Sequence, residues 1–128
     1  MKLLLDTHAF LWFVGGDPRL SDRARMAIKD LANTRLLSVA SAWELAIKVS
    51  FGKLTLHVPF VELIPKQLDA NAIELLPIKT EPVHAIATLP LFHRDPFDRM
   101  LVAQSLLEDA ALVTTDATLD EYGVRRLW

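Results

Sequence analysis

Four carboxylates stand where this chain could do chemistry: Asp6 after the apolar run "KLLL", Glu44 in "SAWELAIK", Asp98 in "HRDPFDRML" and Asp116 at the end of "LVTTD". Asp6 and Glu44 border apolar sequence, and Asp98 precedes "MLVAQSLL", so folding should carry these groups to the margin of a core. Two like charges about 6 Å apart at an effective dielectric near 20 repel by roughly 3 kcal/mol. A divalent cation removes that penalty. Oxygen-only ligation in a chain without cysteine favours Mg2+ or Mn2+ over zinc. Such a centre supports metal-assisted phosphodiester hydrolysis: one ion generates hydroxide from a bound water, and a second can stabilise the leaving oxygen.

Each acid also has a plainer reading. Asp6 and Asp116 suit turns or N-caps, and Glu44 can pair with Lys48 one helical turn on. Asp95 as N-cap, Pro96 at the first helical position and Asp98 at the third make a good helix start, worth about 1 kcal/mol in the cap. The elements around the acids shift the balance. "KLLL" (2–5) and "ALVTTD" are buried-strand patterns that both end on aspartate, and "TRLLSV", "AIELLPI" and "VRRLW" are further strand candidates. Between them run helical patterns: "THAFLWFVGG" ended by Gly15 and Gly16; "LSDRARMAIKDLAN" capped by Ser21, with Ala24, Ile28 and Leu31 inward; and "ASAWELAIKVSFG" closed by Gly52. In the last of these, Val39, Trp43, Ala46, Ile47 and Ser50 form the expected buried stripe, with Glu44 at its rim. "VPFVELIPKQLDAN" should be broken or kinked by Pro65, "TEPVHAIATLP" is a short helix and "PFDRMLVAQSLLEDA" a long one.

Strand and helix patterns alternate throughout, without repeats or a long linker. This predicts α/β layering, with a central parallel sheet of about four to five strands covered by helices on both faces, as one domain over residues 1–128. Sites in such sheets form beyond the carboxyl ends of the strands, where Asp6 and Asp116 both fall. The 128 residues can bury a sizeable core, and 52% hydrophobic content argues against disorder. With 14 basic against 16 acidic residues there is no global field toward nucleic acid, so any such contact must be local. The absence of cysteine suits a reducing cytoplasm, and the first residues lack a signal-peptide pattern or a membrane span.

The segments "LLLDTHAFLW", "SAWELAIK", "HRDPFDRMLVAQ" and "LVTTD", in that order and spacing, resemble the PIN-domain family, specifically the VapC-type toxins of bacterial toxin–antitoxin pairs. The resemblance implies a PIN-like α/β/α sandwich with an acidic quartet on Asp6, Glu44, Asp98 and Asp116. It implies an Mg2+- or Mn2+-dependent ribonuclease that inhibits translation by cutting structured RNA, often transfer or ribosomal RNA. It further implies a homodimer and a cognate VapB-type antitoxin whose peptide segment occupies the groove. Thr114 matches a family hydroxyl that orients a ligand carboxylate, whereas Thr115 stands where relatives often carry a basic or amide group.

Arg94 and Arg99 flank the suspected site and could contact phosphate, and Lys48 and Lys53 could extend a basic rim, with Lys48 a further candidate RNA contact; surface charge or pairing with nearby carboxylates is the competing reading. His8, His57, His84 and His93 lack the i, i+4 pairing of a helical metal motif and read as structural. Trp12, Trp43 and Phe97 read as core or dimer-interface residues rather than base-stacking platforms. Two rival enzyme classes also begin with a strand ending on aspartate. An aspartyl-phosphate phosphatase needs a second aspartate where this chain has His8, and a receiver domain needs an adjacent acid and a late lysine that are missing. A non-catalytic binding module on the same fold is the other alternative.

Overall fold

Lys2–Leu5 (β1) forms the centre of the sheet because its leucines are buried on both faces: Leu3 and Leu5 enter one core cluster and Leu4 the other. The computed structural model describes Met1 to Trp128. β2 (Thr34–Ser38), β3 (Glu74–Leu76), β4 (Ala111–Val113) and β5 (Arg126–Leu127) complete a five-stranded sheet in the order β3-β2-β1-β4-β5, parallel in every pairing. The expected parallel α/β architecture is what the chain adopts.

One face is covered by α1 (Thr7–Val14) and α2 (Asp22–Lys29), with Phe10, Ala24 and Ile28 fully buried. On the other face lies the long helix α6 (Pro96–Glu108), through Leu101 and Val102, with α5 (Thr80–Thr88) packed on α6. Helix α3 (Val39–Ser50) packs against both α1 and α6. Pro65 interrupts the next helical segment as expected. A wide turn at Glu62–Gln67 contains Ile64 in an extended conformation, and one α turn follows as α4 (Leu68–Ala70). A 3-10 turn at Ala117–Tyr122 separates β4 from β5.

Two helix expectations need correction. Helix α2 stops at Lys29, so Leu31 lies beyond it and is exposed rather than inward-facing. In α3 the buried residues are Ala40, Ser41 and Leu45, while Trp43 is 59% exposed and Ala46 and Ser50 are also exposed. This helix carries two apolar stripes, and the smaller side chains face inward because α3 is wedged between neighbouring helices. Glu44, adjacent to Ser41 and Leu45 on the helical surface, is thereby turned inward. No helix is long and apolar enough to cross a membrane.

Candidate active site

The strand order reverses direction at β1, so a crevice opens at its carboxyl edge beside β4. Asp6 follows β1, and its N–H continues the ladder to the Val113 carbonyl at 3.0 Å. Asp6 Oδ1 accepts the Ala9 N–H at 2.7 Å as the N-cap of α1. Asp116 caps the 3-10 turn: its Oδ1 takes the Thr118 N–H at 3.0 Å and the Thr118 hydroxyl at 2.5 Å, while Oδ2 faces His93. The cap readings and the site reading therefore coexist in the same residues. A capping bond fixes the side chain's rotamer without using all of the carboxylate's lone pairs.

Helix α6 begins as its sequence requires. Asp95 Oδ1 accepts the Phe97 and Asp98 N–H groups at 2.8 and 3.0 Å, Pro96 occupies the first helical position, and Asp98 stands one turn inside. From α3, Glu44 Oε2 meets Lys48 at 3.2 Å, while Oε1 accepts the Thr7 hydroxyl at 2.6 Å. A cavity of about 260 Å3 is lined by Asp6, Glu44, Asp98 and Asp116, together with Lys48 and Thr114. Segments far apart in sequence thus present their acids to one space.

The electrostatics record this crowding. Burial, reinforced by the charges of Asp95, Glu44 and Asp6 and opposed by His93, pushes the Asp98 carboxyl up to about 6. Burial also raises Asp6; the Thr114 hydroxyl, the Ala9 N–H and His8 act in the opposite direction, and Glu44 adds to the rise. For Asp116, burial is the largest single influence and raises it. Hydrogen bonds from the Thr118 hydroxyl and N–H, together with His93, outweigh burial and leave Asp116 below its ordinary value. These carboxylates carry more negative charge than the neighbouring cations balance. The all-oxygen acid donor set is the type hard divalent cations take, and such an ion would relieve the repulsion.

The family model of the PIN domain matches residues 3–124. The chain belongs to the PIN-domain family. PIN domains are typically nucleases and generally use divalent metal ions. Among solved structures, this PIN domain is similar to VapBC2 from Rickettsia felis bound to a DNA fragment from their promoter, at TM-score 0.73 and 16% identity over 100% of both chains. It is also similar to VapBC-1 from nontypeable Haemophilus influenzae, at TM-score 0.69 and 16% identity over 98% of this chain and 96% of that one. FitAcB from Neisseria gonorrhoeae follows at TM-score 0.64 and 18% identity, over 97% of this chain and 95% of that one. At these identities the likeness concerns the fold. No curated protein sequence matches the chain.

The PIN domain disposes of its basic residues differently from the sequence reading. Arg99 is corrected: it is buried, and its guanidinium donates to the carbonyls of Ile86, Leu89, Pro90 and His93 and to the Tyr122 hydroxyl, so no donor edge is offered to phosphate. Arg94 is exposed and lines a separate apolar cavity with Trp43 and Phe97. Lys48 lines the acidic cavity while paired with Glu44. Thr114 is buried between two acids: its Oγ1 accepts the Asp116 N–H at 3.1 Å, and its hydroxyl favours the charged form of Asp6. Trp43 is no core residue; its ring stands edge-on to Phe97 at 5.2 Å.

Sequence reasoning missed two polar residues. Thr7, 5% exposed, braces Glu44, and its only sequence signal is its place immediately after Asp6. His93, structural by its sequence setting, places its Nε2 3.3 Å from Asp116 Oδ2 and 3.6 Å from Asp98 Oδ2. Asp95 also lines the acidic cavity, but its Oδ1 carries the cap, so Asp95→Asn should change stability by less than about 0.5 kcal/mol and Asp95→Ala should cost about 1 kcal/mol. Urea-unfolding midpoints measure both. Nuclease activity should survive in Asp95→Asn, which keeps a capping oxygen, and a loss as deep as that of Asp98→Asn would move Asp95 into the reacting group.

Proposed function

We propose that this PIN domain, a single unit over residues 1–128, is the ribonuclease toxin of a VapC-type toxin–antitoxin pair. It would hydrolyse phosphodiester bonds in structured RNA, transfer or ribosomal, and so inhibit translation. The observation that carries the reading is the convergence of Asp6, Glu44, Asp98 and Asp116 on one cavity at the sheet's switch point. Those four residues would hold Mg2+ or Mn2+, which supplies an activated water and charge neutralisation at the phosphate. Thr114 and Thr7 would orient the carboxylates around it, the supporting role that outer hydrogen bonds play at metal sites. Lys48, already on the cavity wall, would exchange Glu44 for a substrate phosphate, while Arg94 would contact RNA outside the cavity.

The surface and the fold lend support to the proposed partners. A larger groove of about 630 Å3 adjoins the acidic cavity, shares Thr7, His8, Trp12 and Lys48 with it, and is lined by Leu11, Leu54, Leu56 and Val58. It suits an antitoxin peptide with apolar anchors, and the fold neighbours in VapBC and FitAcB assemblies support a VapB-type partner. The exposed Trp43 beside Phe97 is the apolar surface on which a homodimer would close. A cysteine-free chain with such partners would act in the cytoplasm.

The test is incubation of the purified protein with total RNA in Mg2+ or Mn2+, with fragment ends identified by sequencing. Cleavage confined to a few positions and abolished by EDTA is expected. Intact RNA under all conditions, with no calorimetric Mn2+ binding, would overturn the proposal in favour of a binding module.

A further inference from the structure

We infer that His93 is a positioning residue of this site: its Nε2 faces Asp116 at 3.3 Å and Asp98 at 3.6 Å, carboxylates on different elements, and the ring steadies the pair beside the proposed metal site. The inference rests on the metal site proposed above. One polar atom each from His93, Asp98 and Asp116 lie within 4.8 Å of one another. The acidic cavity is lined by Asp98 and Asp116 themselves, and His93 is not among the residues that line it.

The ring's orientation is set by the protein rather than by the acids. His93 Nδ1 accepts the Asp95 N–H at 3.2 Å, so the neutral ring carries its proton on Nε2, the atom turned toward Asp98 and Asp116. The His93 backbone is pinned at both ends, its N–H donating to the Tyr122 hydroxyl at 2.9 Å and its carbonyl accepting from Arg99 at 3.3 Å. A donor at Nε2 occupies one lone pair of a carboxylate oxygen and leaves the others for a cation. The same Nδ1 bond disfavours direct ligation, because a metal-bound Nε2 requires the proton on the other nitrogen. Asp95 therefore serves two purposes: its side chain starts α6 and places Asp98, while its N–H sets the imidazole that steadies Asp98 from outside.

Two substitutions separate the ring nitrogens. His93→Asn places an oxygen near Nδ1, keeping the bond to the Asp95 N–H but deleting the Nε2 donor; His93→Gln places an amide N–H near Nε2. Calorimetric titration of each purified full-length variant with Mn2+ should show binding weakened 10- to 100-fold in His93→Asn, the usual range for a lost outer hydrogen bond. His93→Gln should recover to within about threefold of wild type, on the same outer-bond reasoning. The reverse order, Asn tight and Gln weak, would show that His93 acts only through its loop, and equal affinities would show that it does not act on the site. Either result would overturn the inference while leaving the nuclease reading intact. A nitrogen coupling in the spin-echo spectrum of Mn2+-loaded wild type, lost in His93→Asn, would also overturn it by making His93 a ligand. Failure of wild type to bind Mn2+ or cleave RNA would defeat both proposals together.

Discussion

Asp98→Asn is expected to abolish RNA cleavage and, in the same molecule, to stabilise the metal-free protein. The loss follows from removing ligand charge at the proposed centre. Stabilisation of about 3 kcal/mol or more in the transition state corresponds to at least about a 100-fold fall in rate. The gain follows from the crowding. Folded Asp98 titrates at about 6 against an ordinary 3.8, so the folded protein holds that proton more tightly than the unfolded chain. Below pH 3.8 both states are protonated and no penalty exists; as pH rises toward about 6, stability is lost, and above that the penalty is constant. With the Asp98 side chain 33% exposed, solvent screening reduces the effect to an order of 1–2 kcal/mol. Urea unfolding in EDTA should therefore show wild type and variant converging near pH 4, with the variant more stable at pH 7.5. Added Mn2+ should stabilise wild type and leave Asp98→Asn nearly unchanged. A variant less stable than wild type at pH 7.5 would mean that its inactivity reflects misfolding rather than a lost ligand.

The second large effect is on stability at Arg99. Its guanidinium is 8% exposed, has no carboxylate in ion-pair range, and ties the segment from Ile86 to His93 and the Tyr122 hydroxyl to α6. A planar fork with several fixed donors can serve so many oxygens; the compact ammonium of lysine cannot. Arg99→Lys should cost about 2 kcal/mol and Arg99→Ala about 4 kcal/mol, because carbonyls once bonded to a charged donor are left unsatisfied. Urea midpoints give both values. A phosphate-contacting arginine would behave otherwise, with Arg99→Lys unfolding like wild type and only RNA affinity reduced. Because Arg99 also bonds the His93 carbonyl, its loss should loosen the loop that presents His93.

Local chemistry is why so much was legible. Ser21, Asp95 and Pro96 start their helices where composition places them, and Pro65 breaks its segment, because caps and ring constraints act within a few residues. β1 and β4 are short apolar runs that end on polar turns, and the alternation of strand with helix patterns is compatible with little other than a parallel sheet. Arg99 reads in sequence as a candidate phosphate contact because an arginine near the start of a helix carries no local sign that five oxygens will converge on it. In α3, periodicity points to the face with Val39, Trp43 and Ile47, whereas packing against α1 and α6 buries Ala40, Ser41 and Leu45 instead, a choice made by distant segments.

For the site, the four acids and their neighbouring apolar runs determine that negative charge must reach the margin of a core. Whether those charges meet is a property of strand order, since only adjacency of β1 and β4 brings Asp6 beside Thr114 and Asp116. Glu44 and Asp98 join them because α3 and α6 pack against one another, and His93 because a buried arginine holds its loop. Caps and periodicity arise from bonds between near neighbours and can be read residue by residue. A common cavity arises from contacts between distant segments, whose geometry no short stretch of sequence contains.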